Sequence, residues 1–191
     1  NTTAFFSYSN VHSTGVAPTN KYDKHNFSFR QSTKLFNDKL TVSSNIMLAA
    51  EKAHNRYAAG YGANPIIALY YFPRDLEFNQ YKDHYEVLNP SRNMMWPNWY
   101  IANPDYENPY WTLHNRPSDD EVKRLIGGIT LDYELSKNLS LQVRGNFDGN
   151  INRIETRSKA GSHSSQAHEN GAWDYSRTTS EMYYTDALLT Y

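Results

Sequence analysis

Apolar and polar residues alternate strictly along residues 139–151. The odd positions of this segment are apolar or glycine, and the even positions are all polar. A period of two sends successive side chains to opposite faces, which predicts a β-strand with one apolar face and one polar face. We expect the apolar face to carry Leu141, Val143 and Phe147, and the polar face to carry Gln142, Arg144 and Asp148.

The same alternation recurs along the chain and predicts two β-hairpins. Short polar connections at residues 37–39 and 136–138 join neighbouring segments of this kind, with Ile126 as an apolar exception on a polar face. Asn, Asp and Ser at these connections are typical of tight turns. The predicted strands span residues 2–11, 25–36, 40–50, 125–135, 139–151 and 180–191.

The connections between these strands alternate in length. Residues 11–24, 55–122 and 159–179 form long connections, and the two hairpin turns are short. Strict alternation of long and short connections is typical of outer-membrane barrels, which have long extracellular loops and tight periplasmic turns. A soluble antiparallel sheet with one face on a core would show the same alternation of residues, but so long an internal loop is unusual there. The pattern therefore favours an all-β fold, an antiparallel up-and-down outer-membrane β-barrel segment of about six strands.

The composition excludes several other classes of protein. The chain has no cysteine, which excludes disulfides and thiolate metal sites, and its net charge of -1 gives no argument for nucleic acid. Its mean hydropathy is -0.79, and no apolar run approaches the roughly 20 residues that a transmembrane helix needs. Alternating barrel strands give a much weaker hydropathy signal, so this value is compatible with a membrane barrel.

No arrangement of residues indicates catalysis, a cofactor or a metal site. His163 and His168 lie in a polar, Gly- and Ser-rich stretch, which favours a solvated loop over a metal site. The acidic residues 119–121 lack the spaced oxygen ligands of a calcium loop. We therefore expect the protein not to be an enzyme.

The connection at about residues 55–122 holds the candidate binding residues. It contains a dense group of aromatic side chains interleaved with proline: Trp96, Trp99, Tyr100, Tyr106, Tyr110 and Trp111. Exposed aromatic rings stack on sugars and anchor protein partners. Our candidates for ligand or partner contact are Trp96, Trp99, Tyr100, Tyr110 and Trp111, and the alternative is that these rings form the loop's own core. Asn64 and Pro65 also predict the start of a short helix over residues 66–72.

Several stretches resemble the barrel of SusC/RagA-type TonB-dependent transporters over nearly the whole chain. They are KYDKHNFSF (21–29), KLFNDKLT (34–41), NPIIALYYFPRDLEF (64–78), ENPYWTLHNR (107–116) and RLIGGITLDYELSKNLSLQVRGNFD (124–148). The resemblance implies a cell outer membrane location and a plugged barrel of about 22 strands. It implies that residues 1–191 are part of the barrel and that the plug domain lies outside them.

The resemblance also implies a function and partners. It implies uptake of glycans or peptides into the periplasm, driven by the TonB complex through the missing N-terminal part, with a SusD-like surface lipoprotein as a lid and outer-membrane lipid around the barrel. Two alternatives remain open. One is a soluble or surface carbohydrate-binding β-domain, and the other is an outer-membrane adhesin or structural barrel without an import role.

Overall fold

Six long strands form one antiparallel sheet in the computed structural model, which describes residues 1–56, 64–102, 107–163 and 170–191. The elements along the chain are β1 (Thr2–Thr14), β2 (Lys21–Leu35), β3 (Leu40–His54), α1 (Pro65–Tyr70), α2 (Phe78–Asp83), β4 (Glu86–Asn89), β5 (Met94–Pro97), α3 (Pro109–Asn115), β6 (Ser118–Ser136), β7 (Leu139–Ser158) and β8 (Ala172–Thr190). The sheet order is β1-β2-β3-β6-β7-β8, and β4 pairs with β5 in a separate two-stranded ribbon. The prediction of an all-β fold with a six-stranded, antiparallel, up-and-down sheet is confirmed.

The strands are longer than the alternation predicted. β7 has 20 residues, and β6 begins at Ser118 although the pattern predicted a start at residue 125. The connection between β1 and β2 covers only residues 15–20, so the prediction of a long loop over residues 11–24 is wrong. The reason is that polar residues occupy both faces of these strand ends, so the alternation is lost while the backbone pairing continues.

The connections of the sheet differ between its two ends. Residues 36–39 and 137–138 make the short turns at one end, and three connections leave the other end. Of these three we call residues 55–117 the long loop and residues 159–171 the second loop. Lys137 therefore lies at the end of the sheet opposite to the loop that contains Trp99, as predicted.

The two faces of the sheet have opposite character. Directly paired residues of neighbouring strands share a face. The register aligns most apolar positions of the six strands on one face, and Phe5, Met182 and Leu188 lie exposed on the other. One row of the aligned positions crosses the sheet through Phe6, Phe29, Ile46, Gly127, Phe147 and Tyr183. We call this the apolar face, and Leu141 and Val143 lie on it with Phe147. The opposite, polar face carries Gln142, Arg144 and Asp148, as the alternation predicted.

Ion pairs between strands run across the polar face. Lys24 Nζ lies 2.8 Å from Glu51 Oε1, and Arg124 Nε donates to Asp148 Oδ1 over 2.9 Å. Arg144 Nη2 lies 2.9 Å from Asp186 Oδ2. The polar face is therefore organised for contact with water.

The hydrophobic core of the described residues lies in the long loop. The buried hydrophobic residues are Ala68, Trp111 and Leu113, and all three belong to that loop. On the apolar face of the sheet, by contrast, Phe6 is 64% exposed, Ile46 46% and Ile129 49%. Large side chains on the apolar face of the described chain are thus exposed.

Candidate functional site

Two short helices of the long loop begin in the same way. The Asn64 side chain accepts from the Ile66 N–H at 3.0 Å, and the Asn108 side chain accepts from the Tyr110 N–H at 2.8 Å. In both helices proline follows the capping asparagine, at the position where a missing N–H costs nothing. The predicted helix after Asn64 is confirmed as α1, which ends at Tyr70.

Trp111 lies at the centre of the loop's core. Its side chain is fully buried, and its Nε1–H donates to Ser162 Oγ at 2.9 Å. The Lys159 ammonium lies 5.3 Å from the centroid of the Trp111 ring. The ring has no surface to offer a ligand, so the structure places Trp111 in the packing of the loop, and we remove it from the contact candidates.

Asn108 joins three parts of the long loop. Its side chain is fully buried, and its Nδ2 donates to the carbonyl oxygens of Tyr81 and Asn98, both at 2.7 Å. These bonds connect α2 and the segment after β5 to the start of α3. A buried amide with its hydrogen bonds made fixes one arrangement of these segments.

Trp99 and Tyr100 belong to one aromatic cluster. The Phe72 ring is the centre of this cluster, and its centroid lies 5.2 Å from Phe78, 5.6 Å from Tyr81, 5.2 Å from Trp99 and 5.6 Å from Tyr100. The Tyr100 hydroxyl donates to the Tyr71 carbonyl at 2.7 Å. Trp99 and Tyr100 are both partly exposed as residues, and the contacts of the cluster hold their rings in place.

The other two candidates sit apart from the Trp99–Tyr100 pair. Tyr110, also partly exposed, lies 6.2 Å from Phe78 and stacks at 6.4 Å on His114. Trp96 is in β5 opposite Val87, and it approaches the second loop at Gly161. The structure therefore brings Trp99, Tyr100 and Tyr110 into one connected set of rings, and Trp96 contacts other residues. Tyr106 and His168 lie outside the described residues.

The long loop and the second loop are bonded to each other. The Lys159 N–H donates to the Asn115 carbonyl at 2.9 Å, and Lys159 Nζ lies 3.2 Å from Glu86 Oε2. The Glu107 carboxylate accepts from the His163 N–H at 3.0 Å. Together with the Trp111–Ser162 hydrogen bond, these contacts hold the long loop and the second loop against each other.

Sequence reasoning missed the polar residues on which this structure depends. Asn55, Glu107 and Asn108 are buried, and each accepts or donates several hydrogen bonds. The Asn-Pro pair at Asn108 was an available signal, since the same pair at Asn64 predicted α1. Nothing in the residue pattern marks Glu107 as buried, because one of its two hydrogen-bond partners, His163, comes from a different loop.

Glu107 gives the loops a pH dependence. Burial raises the pKa of its carboxyl above the ordinary value, and its hydrogen bonds and the nearby Arg116 guanidinium offset this only in part. A carboxyl with a raised pKa contributes stability that is complete below the ordinary pKa and is lost as the pH rises through the raised one.

We therefore expect the two loops to loosen as the pH rises through that range, and Glu107→Gln to abolish this change. Hydrogen exchange of residues 107–116, corrected for intrinsic rates, measures the effect. Glu77→Gln, which replaces an exposed carboxylate of the same loop, is the control and should keep the pH dependence. An unchanged pH profile in Glu107→Gln would contradict this assignment.

The described residues show neither a metal centre nor a membrane-spanning helix. Among them, no three His, Cys, Asp or Glu side chains are grouped so that they could hold a metal ion. No helix in the described ranges is long and apolar enough to cross a membrane. Comparison with protein-family models finds no match, and comparison with curated proteins finds none either.

Proposed function

We propose that this chain is part of the wall of an outer-membrane β-barrel, in a SusC/RagA-type TonB-dependent transporter that imports glycans or peptides. The observation that carries the proposal is the apolar face, which runs in register across all six strands with its large side chains exposed. A soluble protein rarely leaves so large a continuous apolar surface in water. Lipid is the environment in which such a face is stable.

The height of the apolar face fits a membrane. On β7 it runs from Leu141 to Ile151, which is roughly 33 Å along the strand at about 3.3 Å per residue. Strands tilted by about 40° would span about 25 Å of bilayer, which is the usual height of the apolar band of outer-membrane barrels. The polar face with its ion pairs would then line the lumen.

The edges of the sheet support the same proposal. β1, with 13 residues, and β8, with 19, each have a neighbouring strand on one side only among the described residues. Long unprotected edges promote aggregation unless further strands pair with them. In the proposed barrel, additional strands would pair with both edges, since closure is what removes edges from a β-sheet.

The linked loops would form the extracellular cap of this wall. They leave the end of the sheet opposite to the short turns, where outer-membrane barrels carry their extracellular loops. We propose that Trp96, Trp99, Tyr100 and Tyr110 contact the imported ligand or a SusD-like surface lipoprotein. Rings that are held by neighbours and partly exposed give contact area at a low entropic cost.

The experiment uses the whole protein in its host. A gene deletion, screened for growth on separate purified polysaccharides and on peptides, identifies the nutrient. Trp99→Ala and Trp96→Ala should then lower uptake or lipoprotein binding about tenfold or more, because truncating an anchor residue at the centre of an interface costs about 2 kcal/mol or more. Trp173→Ala, which removes an exposed indole from β8 outside both loops, is the size-matched control.

The outcomes separate the alternatives. Normal uptake and partner binding by every loop variant, at normal levels in the outer membrane, would contradict the contact role. A whole protein that stays soluble without detergent and binds glycans would contradict the barrel and favour the carbohydrate-binding β-domain. A deletion strain that grows on every nutrient would contradict the import role.

A further inference from the structure

Charged residues mark the upper edge of the apolar face, towards the long loop. The last mainly uncharged row across the sheet passes through Ala50, Lys123 and Ile151. The next row on the same face consists of His12, Asp23, Lys52, Glu121, Arg153 and Arg177. The apolar face thus ends abruptly at a band of charge.

This band carries an excess of positive charge over β6, β7 and β8. Arg153 and Arg177 are directly paired across β7 and β8, and like charges in that position repel each other. Glu121 is the acidic group between the cations, and it lies 3.5 Å from Arg153 and 3.8 Å from Lys52. Lys123 and Arg177 form no ion pair within the described part of the chain.

The acidic side chains above this row are already engaged. Asp119 lies 2.8 Å from His54 Nδ1 and 3.1 Å from Arg157 Nη2. Glu155 accepts from Trp173 Nε1 at 3.1 Å and lies 3.6 Å from Arg157 Nε. Neither carboxylate is therefore free to neutralise Lys123, Arg153 and Arg177.

An apolar groove lies directly below the three cations. Its volume is about 430 Å³, and its walls include Phe27, Leu48, Leu125, Phe147 and Ile151, with Lys123 at its rim. Ala50 and Gly149 also line it, and the Phe147 ring lies against Gly149. One acidic residue, Glu181, reaches it from β8, and its carboxylate accepts from the Tyr183 hydroxyl at 3.2 Å.

We propose that the groove and the cations together form a binding site for a phosphorylated lipid. An acyl chain lies in the groove, and the phosphate contacts Lys123, Arg153 and Arg177. An apolar groove with cations beside one end matches a lipid that has an apolar chain and an anionic head group. The bound phosphate would also relieve the repulsion between Arg153 and Arg177. The inference rests on the proposed function only in requiring that the apolar face meets lipid.

Native mass spectrometry of the whole protein in detergent tests the site with two probes, dioleoyl phosphatidic acid and dioleoyl phosphatidylcholine. The unmodified protein should prefer phosphatidic acid. Arg153→Gln with Arg177→Gln should weaken phosphatidic acid binding about tenfold or more, since a hydrogen bond to a charged group contributes at least about 1.5 kcal/mol. The matched control is Arg30→Gln with Lys34→Gln, which removes two cations from the polar face and should leave binding unchanged.

A second variant and a competitor test the groove separately. Ala50→Phe should fill the groove and weaken phosphatidic acid binding although all three cations remain. Excess inorganic phosphate should compete poorly, because it has no acyl chain. Equal affinity of the Arg153/Arg177 variant and the unmodified protein, or full displacement by inorganic phosphate, would overturn the lipid site. A protein that inserts into membranes without preferring phosphatidic acid would refute this inference alone and leave the proposed function intact.

Discussion

An arginine in place of Ile129 is expected to destabilise the inserted protein by about 2–4 kcal/mol, the usual cost of a cation on the lipid side near the bilayer midplane. Ile129 is half exposed near the middle of the apolar face, between Ser44 and Gly145 in the register. The measurement is a urea titration of the whole protein in outer-membrane vesicles, with the folded fraction as the readout.

The same strand offers a closely matched control for this change. Ile126 lies on the polar face of β6, opposite Asp148, so Ile126→Arg introduces the same side chain beside a carboxylate and towards the proposed lumen. We expect it to leave the urea midpoint nearly unchanged. Equal destabilisation by the two substitutions would mean that the apolar face does not meet lipid.

Replacing Asn55 with alanine is expected to loosen two of the three connections at the loop end of the sheet, residues 15–20 and the long loop. Asn55 is 5% exposed, and its Nδ2 donates to Thr19 Oγ1 at 2.6 Å and to the Leu113 carbonyl at 3.1 Å. Its Oδ1 accepts from the Ser118 N–H at 3.0 Å. Losing these bonds, and placing alanine at a φ of 51°, should cost roughly 3–5 kcal/mol locally.

Hydrogen exchange of the whole protein measures the effect of Asn55→Ala. Protection should fall in residues 15–20 and 113–118 and remain unchanged in β7. Asn93→Ala is the control, because Asn93 has a similar φ of 49° but is exposed in the turn between β4 and β5. In Asn93→Ala, the protection of residues 15–20 and 113–118 should hardly change. A similar loss of protection in both variants would mean that the backbone conformation, and not the hydrogen bonds of Asn55, causes the effect.

The sheet could be predicted from the sequence because the alternation of apolar and polar residues is a local pattern within each strand. A period of two around 37–39 and 136–138 was enough to predict the hairpins and the faces. The strand ends were missed where polar residues occupy both faces, as at Ser118 in β6 and Thr14 in β1. At these ends the strand is held by backbone pairing with neighbouring strands, and the apolar–polar pattern of a single strand does not show which residues pair with it.

The loop was less predictable because its structure depends on contacts between distant residues. Trp111 was grouped with the other aromatic candidates, and its burial follows from Ser162 and Lys159 in a different loop. The Phe72 cluster was missed because its members come from three separate segments. Asparagine followed by proline was the local signal that worked, and it located the start of α1 correctly.

The order of strands has a consequence for how the chain folds. β1–β3 and β6–β8 are each a three-stranded meander whose contacts are made between neighbours in the chain, and one seam, between β3 and β6, joins them. The seam closes across the whole long loop, so it carries the largest loop-closure entropy in the sheet. We therefore expect the pairing within each meander to form before the seam, which joins the two parts of the wall.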